Sequence, residues 1–175
     1  MTQDTFRDRP RVVVGIDGSP GGRAAAEFAV REARLRGARL VAVTALGLAD
    51  LAHFDPYSVH MHAKIEIVTR AEETVAAALR DLDTEGLDIR VVVTTDEPAR
   101  ALIDRSAFAD LLVVGSRGRG GFRGLVLGLV SLRCALHASC PVTVVRPEPV
   151  GTAAGAVTAR PPMASAARGD AAQAV

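Results

Sequence analysis

"VVGSRGRGGFRGLVLGLVS", residues 113–131, changes character twice within one short run. Val113 and Val114 end an apolar stretch that starts at Leu111, too short for a helix and closed by glycine, which reads as a buried strand. From Gly115 the chain is mostly glycine and arginine, with Arg117, Arg119 and Arg123 supplying local positive charge. It then turns apolar again, with Val126, Val130 and Cys134 roughly on one helical face. A strand, a glycine-rich loop and a helix N-terminus, in that order, let freed backbone N–H groups converge on an anion.

Outward from this stretch the same strand–helix alternation repeats. RVVVGID (11–17), RLVAVTA (39–45), DIRVVVTT (88–95), DLLVVG (110–115) and PVTVVR (141–146) are short, β-branched and mostly apolar throughout. Continuous apolar runs suit strands covered on both faces. After the first run, Ser19 can cap a helix with Pro20 in its first position, Ala26, Ala29, Val30 and Ala33 share a face, and Gly37 ends it. A second helix is expected from about Ala63 to Leu82, with Val68, Ala71, Val75, Ala78, Leu79 and Leu82 inward and Gly86 closing it. A third starts near Pro98 and turns Ala99, Leu102 and Ile103 inward; the fourth follows the glycine loop. The order βαβαβαβαβ predicts an α/β domain over residues 9–147: an open five-stranded parallel sheet, order 3-2-1-4-5, with helices on both faces.

Composition agrees. Apolar residues make up 49% of the 175 residues and aromatics only 3%, so the core is aliphatic. Lys and Arg number 21 against 20 Asp and Glu, a net charge of +1 that gives nucleic-acid binding no support. No apolar run reaches membrane-spanning length and MTQDTFRDRPR has no signal-peptide core, so the expected location is the cytoplasm. Residues 1–8 read as a flexible N-terminus. Residues 148–175, rich in Ala, Gly and Pro, read as a disordered tail too poor in large apolar residues to offset its ordering entropy. The long connection 47–61 carries His53 and His60, and His62 follows; without further ligand spacing they read as solvent-facing histidines. Cys134 and Cys140 fit no metal pattern and read as structural thiols.

In such a sheet ligands bind beyond the carboxyl ends of the strands, where strand order reverses. Two loops meet there: GIDGS (15–19), with Gly15 and Asp17, and GSRGRGG (115–121). Asp17 can accept hydrogen bonds from a ribose, hold Mg2+ beside phosphates, or serve the start of the following helix. The spacing is neither that of a P-loop nor a dinucleotide fingerprint after strand 1.

The run from Val113 to Arg146 and the opening VVVGIDGSPGGRAAAEFA resemble the universal stress protein family over residues 9–147. The resemblance implies a Rossmann-like, adenine nucleotide alpha hydrolase-like fold. In the ATP-binding branch the signature is G-x2-G-x9-G followed by Ser or Thr; Gly115, Gly118 and Gly128 fall on its glycines. By that resemblance Asp17 meets the ribose or metal side of ATP. Backbone near Ala45 meets adenine together with Val114, and Val130 and Ser131 join the phosphate cradle. The departure is Leu129, which replaces the hydroxyl residue; its own backbone N–H, the Ser131 hydroxyl and the charge of Arg117, Arg119 and Arg123 partly compensate.

Three functions follow. The first is a stress-response sensor that binds ATP as a signal rather than a substrate, since no activated nucleophile or poised base stands near the loop. The second is a cyclic AMP-binding protein, less harmed by Leu129 because that ligand has one phosphate. The third is a ligand-free interaction module. Homodimerisation through strand 141–146 is expected from its place at the sheet edge and from the resemblance.

Overall fold

The computed structural model describes residues 9–46, 61–119 and 126–148, with backbone alone over 61–66. The expected 1–8 and 148–175 ends therefore lie outside the described residues except for Glu148, as does most of the 47–61 connection. The elements are β1 (Arg11–Gly15), α1 (Pro20–Arg36), β2 (Arg39–Ala45), α2 (Met61–Leu79), β3 (Ile89–Thr94), α3 (Pro98–Ser106), β4 (Leu111–Gly115), α4 (Leu129–His137) and β5 (Val142–Val145). All neighbouring strands pair in parallel, in the order β3-β2-β1-β4-β5.

Successive side chains on a strand point to opposite faces, and the core divides accordingly. Val12, Val14, Leu40, Ala42, Leu111 and Val113 face α1 and α2, meeting Ala25, Ala26, Ala29, Ala33 and Val75. Val13, Val43, Leu112 and Val114 face the other way and pack with Leu102 and Cys134 from α3 and α4. Alanine on α1 lets that helix approach the sheet closely.

The caps explain the boundaries. Ser19 is the N-cap of α1, its hydroxyl accepting from the Gly22 N–H at 3.0 Å, with Pro20 next. Gly37 closes α1 in the left-handed region at φ 58°, its N–H reaching the Ala33 and Arg34 carbonyls. Two expectations shift. α2 stops at Leu79 and leaves Leu82 half-buried in the following turn, where Gly86 takes φ 72°. Val126 precedes α4 and is exposed rather than inward. β3 and β5 are the sheet edges, so β3 is partly exposed, Val91 included, and not covered on both faces.

Candidate functional site

The carboxyl ends of β1 and β4 lie side by side, with Val14 paired to Val113, so the loops leaving them share one crevice. Their contact is close because it is built from glycine. A Cβ on Gly21, in the first turn of α1, would strike the Arg117 carbonyl oxygen, and one on Gly115 would stand 2.5 Å from the Gly21 carbonyl carbon. The sequence reading did not single out Gly21 or Gly22. Two glycines in a helix's first turn are unfavourable unless close approach demands them, and that was the available signal.

Asp17 is the hub. Its Oδ1 accepts from the Ser19 N–H at 3.0 Å and the Ser19 hydroxyl at 2.6 Å. Its Oδ2 accepts from the Arg119 N–H at 3.1 Å, and the Arg119 Nε donates to the Asp17 carbonyl. Side chains on either flank are excluded: a Cβ on Gly22 would lie 2.6 Å from Oδ1, and one on Gly118 2.6 Å from Oδ2. Asp17 thus ties the β1 loop to the glycine loop, and Ser19, not Asp17, is the helix cap.

The glycine loop is pinched at its neck. Gly128 donates its N–H to the Ser116 carbonyl at 2.7 Å, and the buried Ser131 hydroxyl donates to the Gly115 carbonyl at 2.6 Å. Between the pinches Arg117, Gly118 and Arg119 are exposed; residues 120–125, Arg123 among them, lie outside the described residues. Gly128 is the N-cap of α4 and supplies no side-chain cap hydrogen bond. The first N–H groups of α4, where Leu129, Val130 and Ser131 sit, therefore start at the loop's closure with no capping side chain, next to the Arg117 backbone. That is an anion-binding arrangement.

Leu129 stands at the start of α4. It is 71% exposed, so its isobutyl group is not packed into the core beneath the loop. Val114 is buried in the α3/α4 core and offers a ligand only its backbone. Gly15 ends β1 and Ala45 ends β2, both half-buried at the carboxyl end of the sheet. Among the described residues no group of three or more His, Cys, Asp or Glu could hold a metal ion. With both Asp17 oxygens already accepting, a divalent cation fits here only as a companion of phosphate oxygens, not as a protein-held ion.

Glu97 and Arg133 were not foreseen. Glu97 caps α3, accepting from the Ala99 and Arg100 N–H groups at 3.2 and 3.1 Å, and meets Arg133 of α4 at 2.7 Å. Burial works to raise its carboxyl pKa, but the two N–H groups and the guanidinium outweigh it and hold it below the usual value. The pair fixes α4 against α3 from within the helix's second turn.

The sequence profile described as the universal stress protein family matches residues 9–146. A universal stress protein of Mycobacterium tuberculosis is 41% identical over 139 residues, covering 77% of this chain and 45% of that protein. One of Mycolicibacterium smegmatis is 39% identical over 149 residues, covering 83% and 49%. The chain thus spans about half the length of the curated relatives it matches. Among solved structures, a universal stress protein in complex with cAMP is 28% identical with a TM-score of 0.53, covering 79% of this chain and 98% of that one. The universal stress protein from Archaeoglobus fulgidus in complex with dAMP is 25% identical with a TM-score of 0.54, covering 78% and 96%.

Proposed function

The chain belongs to the universal stress protein family, and on that premise we propose that it is an adenine-nucleotide-binding regulatory protein of the cytoplasmic stress response, acting as a homodimer. The observation that carries the reading is the α4 N-terminus, which has no side-chain cap where the glycine loop closes on Gly128. Phosphate oxygens would accept from those N–H groups, with Arg117 and Arg119 adding charge. Adenine would lie toward the ends of β2 and β4, and Mg2+ would arrive with a triphosphate. The nucleotide is a signal in this reading, released unchanged. Among the described residues no helix is long and apolar enough to cross a membrane, which is compatible with it.

A second reading has its own support. The two solved relatives above carry cAMP and dAMP, each with a single phosphate. A monophosphate depends less on the hydroxyl that Leu129 lacks, so cyclic AMP is the alternative ligand.

Calorimetric titration separates these readings. ATP with Mg2+, AMP and cyclic AMP are each added to the native protein and to Leu129→Ser, and the recovered nucleotide is checked for hydrolysis. Native protein is expected to bind ATP. The serine adds one hydrogen bond to a charged group, typically about 1.5–3 kcal/mol, or roughly ten- to hundredfold in affinity. Cyclic AMP should change much less. Binding of cyclic AMP alone moves the second reading ahead, and silence toward all three in both proteins leaves only a ligand-free module.

A further inference from the structure

Arginine charge is matched at one end of the sheet and left over at the other. At the amino ends of the strands Arg9 and Arg39 share Asp88, Arg34 meets Asp83 at 2.5 Å, and Arg36 meets Glu32 at 2.8 Å. At the carboxyl ends Arg23, Arg70 and Arg117 are exposed. Among the described residues no carboxylate lies within ion-pair distance of their guanidinium groups. Acids close to them in the fold are engaged or out of reach. Both Asp17 oxygens accept from Ser19 and Arg119, and Glu27 pairs with Arg31 at 3.3 Å. Glu73, three residues on from Arg70, forms no ion pair with it.

Backbone contacts gather these three arginines around the turn from β1 into α1. Arg117 stands between two helix starts. A Cβ on Gly128, the N-cap of α4, would lie 3.4 Å from the Arg117 Cα, and one on Gly21 of α1 would strike the Arg117 carbonyl oxygen. Arg23 ends that same first turn of α1, its N–H donating to the Ser19 carbonyl at 3.0 Å. Arg70 is on α2, one turn from Thr74, whose hydroxyl donates to the Arg70 carbonyl at 2.9 Å. The Thr74 methyl in turn is 3.2 Å from where a Cβ on Gly18 would stand. Helix dipoles favour carboxylates in a first turn, and α1 has none there. Arg23 thus breaks a local rule with no compensating ion pair, as residues held for a ligand do.

We propose that Arg117, Arg23 and Arg70 form a track for a phosphate chain longer than a triphosphate, running from the α4 cradle across the start of α1. The inference deepens the nucleotide reading above, whose cradle it shares. Guanidinium groups match phosphate oxygens bidentately, and a phosphate chain presents such oxygens at every link. Three of the five residues from Gly18 to Gly22 carry no side chain, so the path between the arginines is mostly bare backbone. A nucleic-acid strand fits less well, because it needs aromatic faces for its bases. Among the described residues Phe28 packs against the core, and Phe108 stands just before β4, at the opposite end of the sheet. Two sources supply the same chemistry: an extended nucleotide tail and inorganic polyphosphate.

Calorimetric titration of the full chain at fixed ionic strength tests this with four probes: ATP, adenosine 5′-tetraphosphate, and linear inorganic tripolyphosphate and tetrapolyphosphate. Each is added to native protein and to Arg23→Ala, Arg70→Ala and Arg90→Ala. Arg90 is exposed on β3, also without an ion pair among the described residues, and controls for net charge. The tetraphosphate should bind native protein about tenfold or more tightly than the triphosphate. Arg23→Ala and Arg70→Ala should each cut that advantage to about twofold or less, and Arg90→Ala should keep it. The two variants lie on different helices, so a melting curve that disqualifies one leaves the other to decide. An advantage confined to the adenosine form identifies a nucleotide tail as the source; one seen with the inorganic chains identifies polyphosphate. Arg23-dependent binding of inorganic tetrapolyphosphate, with both nucleotides silent, sinks the nucleotide reading and leaves the track standing. Tetraphosphates that bind no tighter than triphosphates in either form overturn the track. So does an advantage that survives both substitutions, or one that Arg90→Ala lowers equally, since net charge alone then explains it.

Discussion

Asp17 has three donors on its two oxygens and a glycine against each, so it holds two loops together. Asp17→Asn keeps the size but leaves one amide NH2 facing donors. It is expected to lose about 1–3 kcal/mol of stability, measured by chemical denaturation, and to speed hydrogen exchange at the Arg119 amide specifically. The signature glycines separate by the same reasoning. Gly118→Ala forces a methyl against the Asp17 carboxylate and should cost about 1–3 kcal/mol of fold stability as well as ligand affinity. Gly128→Ala meets only ordinary contact, 3.4 Å from the Arg117 Cα, so it should cost less stability than Gly118→Ala, limited to the roughly 0.5–1 kcal/mol that alanine loses to glycine at an N-cap. A pair of melting curves with matching titrations checks both. The motif spacing put both glycines in one category, because spacing says nothing of what lies opposite each Cα.

At the scale of elements, strands and caps were the readable part. Ser19, Pro20 and Gly37 act through local geometry that their own side chains, or lack of one, impose, and β2 runs over the expected 39–45. The misplacements are tertiary. Leu82 fits the α2 stripe by spacing, yet the helix ends at Leu79, because periodicity continues through a turn whose residues still pack inward. Glu97 was overlooked because a glutamate cap depends on reach. Its carboxylate serves two N–H groups and Arg133 at once, linking α3 to the cradle helix. Its folded pKa is depressed, so its contribution is present above the ordinary carboxyl value of 4.5 and is lost as pH falls through the lowered one. Thermal melts from pH 7 to 3 should show native protein more stable than Glu97→Gln at neutral pH. The gap should close on acidification, and a gap independent of pH would show that the charge contributes nothing.

Across the whole molecule, Cys134 reports on how α4 opens. It is fully buried between α4 and the sheet, and burial, then the nearby Glu97 charge, push its thiol up to about 11. The sign is that of a group neutral in the fold: its contribution holds below the ordinary value of 9.0 and is lost as pH rises above it. At pH 8 both burial and the scarcity of thiolate block alkylation, so Cys134 reacts only when the structure opens, whereas the half-buried Cys140 reacts in the native state, slowed by its own raised pKa. Parallel pairing followed from the strand–helix alternation, but whether the domain opens as one unit or sheds α4 first depends on packing that no pattern encodes. Among the described residues the core on the α3/α4 face is the smaller of the two, and α4 is only nine residues long. Alkylation of Cys134 is therefore expected at denaturant concentrations below the main unfolding transition. A ligand seated on the α4 N-terminus should suppress that early opening. At a hundredfold excess over its dissociation constant, linkage gives about 2.7 kcal/mol, or roughly a hundredfold slower labelling. ATP or cyclic AMP that slows Cys134 while sparing Cys140 locates the ligand on the cradle helix. Equal rates with and without nucleotide would mean that α4 takes no part in binding.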